Sequence, residues 1–459
     1  MEDKINIPGG ESGIVPKWNL TGTSSFAAFN LNANPNGLCS AAELLLLALE
    51  RKLANDPDQF VLLHHLTFLF AIRNDAPRGV GQFMRWCCHL MVPVFVLSSY
   101  CYKAYWYMSH SEYNSALFNV VGTIWIMAGA FVRRLVFDRG VLTRLEQFLN
   151  DRSFREDEPL VRAARQHVKV QNNRYLFAVC LTLVLEASIF SGTNLMLQPE
   201  FMLLYQGHAV GGFFTQLLYG WASCFWGSLY VLIFAFIYVL LNVFRGEMSL
   251  LVESFERINE CFHKYRPELN TASAGEREEE FWRELQALIK LNVQRHVELL
   301  DNLGEFGSIL KPFSFIQYYG SFTLIGYYCF ILMYKGVTPL TVVYIAFIVF
   351  LVAESFLFCR ILSQINDLHA RIGTVMCELE WYDKLRFSLR FASAYRQVRA
   401  SFLIIIIRSQ KSLSFRINGT GTISMARFAE LLNSSYSLMT IMFQLKEKNI
   451  AKLTSNGNN

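Results

Sequence analysis

Near the C-terminus, Ser434, Ser437, Ile441, Gln444 and Lys448 recur at intervals of 3, 4, 3 and 4. On a helix that spacing places them on one face. The surrounding segment, 422–445, has the length of a membrane span and is more polar than the other apolar stretches of the chain. A polar stripe on a lone helix sits badly against lipid. With several copies around a shared axis it would line water. Ile441 would then form a hydrophobic constriction that closes by dewetting, and Gln444 a ring of neutral amide dipoles that discriminates weakly among cations. The same stripe also fits a small-polar packing face between helices.

Two carboxylates stand inside other apolar runs. Glu186 lies at the middle of one (LVLEASIF) and Glu354 nearer the end of another. An ionisable residue within a membrane segment is a functional candidate or a buried polar contact between helices. Recognisable catalytic chemistry is absent from the sequence. It contains no HExxH, no GxSxG and no Walker loop. His64 and His65 are adjacent, so on a helix they point about 100° apart and cannot share a metal. The ten cysteines form no CxxC and read as reduced, small apolar residues. The sequons at Asn19, Asn418 and Asn433 fall in cytosolic or membrane segments and read as chance matches. No catalytic residue, metal site or cofactor is expected, and the chain does not read as an enzyme.

The composition shows what must position these residues. Of 459 residues, 53% are apolar and only 17% charged, with 39 Phe and a mean hydropathy of +0.27. One soluble core cannot hide that much apolar surface and keep a wettable exterior. A disordered chain is excluded on the same ground. The net charge of +5 is too small, and its basic residues too dispersed, for a nucleic-acid partner. The fold class is an all-α membrane protein. Only helices satisfy backbone amides locally in lipid, and about 20 apolar residues cross it. Seven spans are expected, at 86–107, 115–137, 175–197, 216–244, 312–334, 339–360 and 422–445.

Lysine and arginine set the orientation. Residues 138–174 carry eight, and Arg85, Arg133, Arg134, Arg245, Lys311 and Arg360 mark the same side; residues 198–215 carry none. The N-terminus is therefore expected in the cytosol and the C-terminus outside, the inverse of a G-protein-coupled receptor. The expected organisation is a disordered segment at 1–38, amphipathic surface helices at 39–82 and spans 1–4 within 83–244. Cytoplasmic extensions of helices 4 and 5 follow at 245–311, with a turn near 267–275, then spans 5 and 6 within 312–360. Cytoplasmic anchor helices at 361–421, a final helix at 422–446 and an extracellular tail at 447–459 complete it. Projecting amphipathic helices must bury their apolar faces, which suggests an oligomeric cytoplasmic domain.

The C-terminal third carries a denser pattern. It reads Glu380-Trp381-Tyr382, then Ile404-Ile405-Ile406-Ile407-Arg408-Ser409-Gln410-Lys411-Ser412-Leu413, then Asn418-Gly419 to Phe428, then Ser435-Tyr436-Ser437. This resembles the insect odorant receptor family, with Ser412 where the family usually has Pro. The resemblance implies a tetrameric, ligand-gated, non-selective cation channel in the plasma membrane of a sensory neuron dendrite. By it, the last helix of each subunit lines one pore, with Ile441 as gate and Gln444, Ser437 and Ser434 along the lining. The partners it implies are a small volatile organic ligand, membrane lipid, and either identical subunits or the odorant co-receptor in a heterotetramer. Phe443-Gln444-Leu445-Lys446 is closer to that co-receptor than to a typical tuned receptor.

The family binds odorants in the outer half of the membrane region, among spans 2, 3, 4 and 6. The corresponding candidates are Trp125, Ser188, Ser191, Trp221, Phe225, Thr341 and Tyr344, with Glu186 as a polar intramembrane group. Such a pocket should be apolar and aromatic with few polar groups. Three other readings stand beside this one. A gustatory-type channel ranks lower, because Gln444 follows Tyr436 by eight residues, a spacing unlike that branch. A seven-helix G-protein-coupled-like receptor lacks its Asp-Arg-Tyr and Asn-Pro-x-x-Tyr signatures. A transporter would use Glu186 for a coupling ion, but no internal repeat supports it.

Overall fold

A computed structural model of the chain describes residues 56, 58–69, 80–110, 115–137, 140–151, 153–192, 198–199, 201–265, 274–335, 339–413, 415–417 and 421–456. The chain divides into two units, Met1–Leu49 and Glu50–Asn459. The first lies wholly outside the described residues, and with it the expected disordered segment 1–38. The amphipathic stretch expected at 41–53 also falls outside them.

The second unit is mostly helical. Its helices are α1 (Val61–Leu69), α2 (Val80–Ser109), α3 (Ser115–Phe137), α4 (Val141–Asn150), α5 (Pro159–Gly192), α6 (Phe213–Glu256), α7 (Ile258–Tyr265), α8 (Ala274–Lys335), α9 (Pro339–Glu378), α10 (Trp381–Lys384), α11 (Ala392–Ser409) and α12 (Met425–Asn456). Two antiparallel hairpins of two-residue strands join them: β1 (Leu204–Tyr205) with β2 (His208–Ala209), and β3 (Arg416–Ile417) with β4 (Gly421–Thr422). Helices α2, α3, α6, α8 and α9 contain the segments expected at 86–107, 115–137, 216–244, 312–334 and 339–360, while α5 holds 175–192 of the third and α12 holds 425–445 of the last. Three stretches among the described residues are long and apolar enough to cross a membrane, namely Pro159–Phe190, Phe213–Tyr265 and Thr341–Lys384. Helix α3 carries the shorter apolar run Val120–Arg133.

Several helices are longer than a membrane is thick. Helix α8 has 62 residues, which at 1.5 Å per residue reach ~93 Å, three times a hydrocarbon core of ~30 Å. Helix α6 has 44 residues and α9 has 40, and both also overshoot. Pro312 lies inside α8 without ending it. The helix begins at Ala274, so Ala274 and Gly275, expected in a turn, are helical. The last helix starts at Met425, not Thr422, because Thr422 pairs in β4 and Ser424 accepts the Arg427 amide at the helix start. Its C-terminal end is helical through Asn456, over most of the expected tail.

Helix α6 forms the core. Leu229–Ile237 and Val239–Leu241 are buried on every side, the pattern of a helix surrounded by others. It packs on α9, α5, α3 and α8, while α12 lies against α8 and α9. At the N-terminal end of α6 Gln216 holds the β1–β2 hairpin, donating to the Leu203 and Val210 carbonyls and accepting the Leu203 amide at 2.7 Å. Elsewhere α1 is clasped to α4: Asn150 accepts the Gln59 amide at 3.0 Å, and His64 sits 2.9 Å from Asp58 and 3.3 Å from Glu146. His65 points to solvent, as the adjacency argument requires.

Candidate functional site

The face of α12 identified by spacing is open. Ser434, Ser437 and Gln444 are exposed, and Ile441 is 54% exposed. The opposite face is seated on α8. Leu431 and Ser435 are buried there, and the Ser435 hydroxyl lies 3.3 Å from the Phe322 carbonyl and 2.9 Å from that of Leu431. Gly326 of α8 permits this approach, since a Cβ on it would stand 2.9 Å from Leu438. The Ser437 hydroxyl donates back to the Asn433 carbonyl at 2.9 Å, which leaves its oxygen as a weak acceptor on the open face. The Lys448 side chain lies outside the described residues.

Deeper in the bundle, four helices meet at a charged pair. Arg133 of α3 is fully buried and donates to Glu354 of α9 at 3.0 Å and to the Tyr230 carbonyl of α6 at 2.8 Å. It also donates to Gln317 of α8, and its guanidinium stacks 3.5 Å from the Tyr230 ring. Burying either charge alone is costly, so each specifies the other. Arg133, expected to mark the cytosolic end of span 2, is thus an internal residue. Glu354 takes the structural role open to it. Glu186 does not: it lies on an exposed face of α5 between Leu185 and Ile189. Lys103 of α2 is also buried, its Nζ 4.1 Å from the centroid of the Tyr100 ring.

The expected ligand residues divide into two groups. Thr341 and Tyr344 of α9 are buried, and Tyr344 stacks on Tyr328 of α8 with centroids 4.9 Å apart. Phe347 meets Tyr328 edge-on at 5.6 Å. Gly122 of α3 closes the cluster, because a Cβ there would stand 3.0 Å from both Tyr327 and Tyr328. Phe225 is half-buried. Trp125, Ser188 and Trp221 are exposed, and the Ser188 hydroxyl donates within its own helix to the Val184 carbonyl. The Ser191 side chain lies outside the described residues. Sequence reasoning missed Trp226, buried on α6 with an indole N–H that has no hydrogen-bond partner among the described residues. It also missed Tyr327 and Tyr328. On α6, Trp226 stands five positions beyond Trp221, or about 140° around the helix, so the two face opposite ways.

The motif residues of the C-terminal third hold α9, α10 and α11 together. Trp381 packs on Phe402 with centroids 5.5 Å apart. Ser409 is buried against α9, and the Leu413 amide donates to Asn366 at 2.9 Å. Helix α11 buries Val398, Phe402 and Ile405 and leaves Leu403, Ile404 and Ile407 exposed.

Long helices through a shared apolar core, continuing into a more polar helical block, define an all-helical membrane receptor fold. Residues 139–436, about two-thirds of the chain, match the family described as 7tm Odorant receptor, and the chain belongs to that family. The fold is similar to the solved insect olfactory receptor OR5 from Machilis hrabei. Its complex with eugenol is 11% identical, covers 84% of this chain and 100% of that one, and has a TM-score of 0.62. The structure of OR5 without eugenol gives 10% identity, the same coverage and a TM-score of 0.61. No curated protein sequence matches the chain. The family match ends at Tyr436, so Ile441 and Gln444 lie beyond it.

Proposed function

We propose that this odorant receptor is an odorant-gated, weakly selective cation channel of four subunits, its pore lined by α12. The observation that carries this is the open stripe of Ser434, Ser437, Ile441 and Gln444 on a helix whose other face is already packed on α8. An exposed amide and hydroxyls at membrane depth need water or a partner. Repetition around an axis supplies water and leaves Ile441 as the hydrophobic constriction. The seven long helices cross the membrane with the N-terminus in the cytosol, and α11 joins subunits through Leu403, Ile404 and Ile407. Assembly is with identical chains or with the co-receptor.

The ligand is a small volatile organic molecule, as eugenol is for the Machilis receptor. It occupies the apolar aromatic region around Tyr344, Thr341 and Phe225, with Trp226 as the polar handle. Trp125, Trp221 and Ser188 then stand at its rim. Ligand bound preferentially to the open arrangement shifts the population toward it and moves α12 outward. The test is odorant-evoked current from Ile441→Ala. Ligand-independent leak or a left-shifted response is expected, and an unchanged closed state with unchanged sensitivity contradicts the gate assignment.

A further inference from the structure

On the cytosolic side, the N-terminal third of α5 walls a cavity of about 380 Å³ lined by Glu156, Arg162, Ala163, Arg165, Gln166 and Lys169. Three cationic side chains face one carboxylate there. Positions 162, 165, 166 and 169 follow helical spacing, so they form one face of α5. Two of the cations are fixed in place. Arg165 donates to both Glu247 oxygens, at 2.8 and 3.1 Å, and to the Phe154 carbonyl at 3.0 Å. That same Glu247 also accepts from Arg295 at 2.8 Å, so one buried carboxylate serves two guanidiniums. Lys169 is buried and donates to the Asp56 carbonyl at 2.7 Å. Arg162 is exposed at the edge.

Such a site suits neither a volatile odorant nor a metal ion, because its lining is charged and its charge is mostly positive. Its volume falls within the range of about 300–1,000 Å³ typical of small-molecule sites. Fixed cations lose little conformational freedom when an anion binds, and guanidinium matches phosphate in geometry. The position narrows the ligand further. The apolar part of α5 begins at Tyr175, six residues after Lys169, or ~9 Å along the helix. With the N-terminus in the cytosol, the cavity stands at the inner headgroup layer, where basic pockets beside membrane helices hold phosphorylated headgroups.

We propose that this cavity binds a multiply phosphorylated inositol, either as a phosphoinositide headgroup or as the soluble inositol phosphate of the same chemistry. Arg165 already joins α5 to α6 and, through the shared Glu247, to Arg295 of α8, so an anion held by Arg165 stabilises the block those helices form.

The experiment compares the melting temperature of the purified full-length receptor in nanodiscs. One arm contains phosphatidylinositol bisphosphate and another contains phosphatidylserine at equal total charge. A third adds soluble inositol trisphosphate to phosphatidylcholine discs. A rise with the phosphoinositide but not with phosphatidylserine is expected, and a rise with the soluble compound alone assigns the free ligand. The affinity should fall about tenfold in Arg162→Glu, roughly one charge-assisted hydrogen bond. Gln166→Glu should weaken binding and Arg162→Lys should retain most of it. No stabilisation in any arm, the same rise with phosphatidylserine, or binding unchanged in both Arg162→Glu and Gln166→Glu, overturns the proposal.

Discussion

Arg133 and Glu354 are individually intolerable in an apolar bundle and jointly acceptable. Removing one partner of a buried pair costs about 3–5 kcal/mol, whereas replacing both with apolar residues of similar volume is often near neutral. Arg133→Met and Glu354→Leu should therefore each lower the melting temperature of detergent-solubilised receptor strongly, and the double variant should recover most of the loss. Additive losses would mean that the pair does not act as a unit.

Histidines outside the spans give opposite pH signatures. Burial, with His369 and Arg408 nearby, lowers His296 to about 4; burial and Arg408 lower His369 to about 4. The two rings stand 5.4 Å apart. Above the ordinary value of about 6.5 both folded and unfolded forms are neutral. Between about 6.5 and about 4 the unfolded chain takes up protons that the folded one refuses, so stability falls as pH falls, by at most ~1.4 kcal/mol per ring per pH unit. His64 behaves inversely. Hydrogen bonds to Asp58 and Glu146 raise it to about 9, so its contribution is complete below about 6.5 and is lost as pH rises through about 9. Asp58 is pushed up by burial, but hydrogen bonds from His64, the Phe60 amide and Asn150 outweigh this and bring it to about 2. Its stabilisation is present above about 4 and is lost as pH falls toward 2. Melting temperature against pH should form a dome. His64→Ala should flatten its alkaline side and His369→Leu its acid side; a dome unchanged by both substitutions contradicts these assignments.

Among elements, the long helices were legible because hydropathy and helix length are local properties. The expected boundaries of span 2 coincide with those of α3, and the extension of α6 and α8 beyond their apolar stretches followed from amphipathic periodicity. The start of α12 was not legible, since strand pairing of Thr422 is a tertiary choice. The α12 stripe was legible because helical spacing alone fixes which residues share a face. The pairing of Arg133 with Glu354 was hidden, because 221 residues separate them in the chain and arginine at a span end reads as a topology marker. Of the proposed ligand residues, Thr341 and Tyr344 lie inside the bundle and Trp125, Ser188 and Trp221 on its surface. Aromatic content flagged α3, α6 and α9, but helix rotation, which puts Trp226 inside and Trp221 outside, depends on packing. Gly326 belongs to this scale too. Gly326→Val would push α12 away from α8 at Leu438. It should shift the odorant concentration–response curve or raise basal current, and wild-type behaviour would show that this contact does not set the position of α12.

For the whole molecule, the exposed apolar face of α11 is the feature a lone chain handles worst. Ile404 and Ile407 lie on the same side, 62% and 68% exposed, outside the stretches of the described residues long and apolar enough to cross a membrane. Apolar patches of this kind mark interfaces. On the proposed four-subunit assembly, the double variant Ile404→Asp/Ile407→Asp should fall toward monomer mass by light scattering in detergent, and an unchanged mass would place the interface elsewhere.

The most direct measurement is block of odorant-evoked current by a water-soluble thiol reagent at single cysteines placed along α12. Block at Ser434→Cys, Ser437→Cys and Gln444→Cys, with none at Leu431→Cys, Ser435→Cys or in the parent channel, is the outcome a pore lined by α12 requires. Uniform insensitivity, or sensitivity in the phase of Leu431 and Ser435, would contradict it.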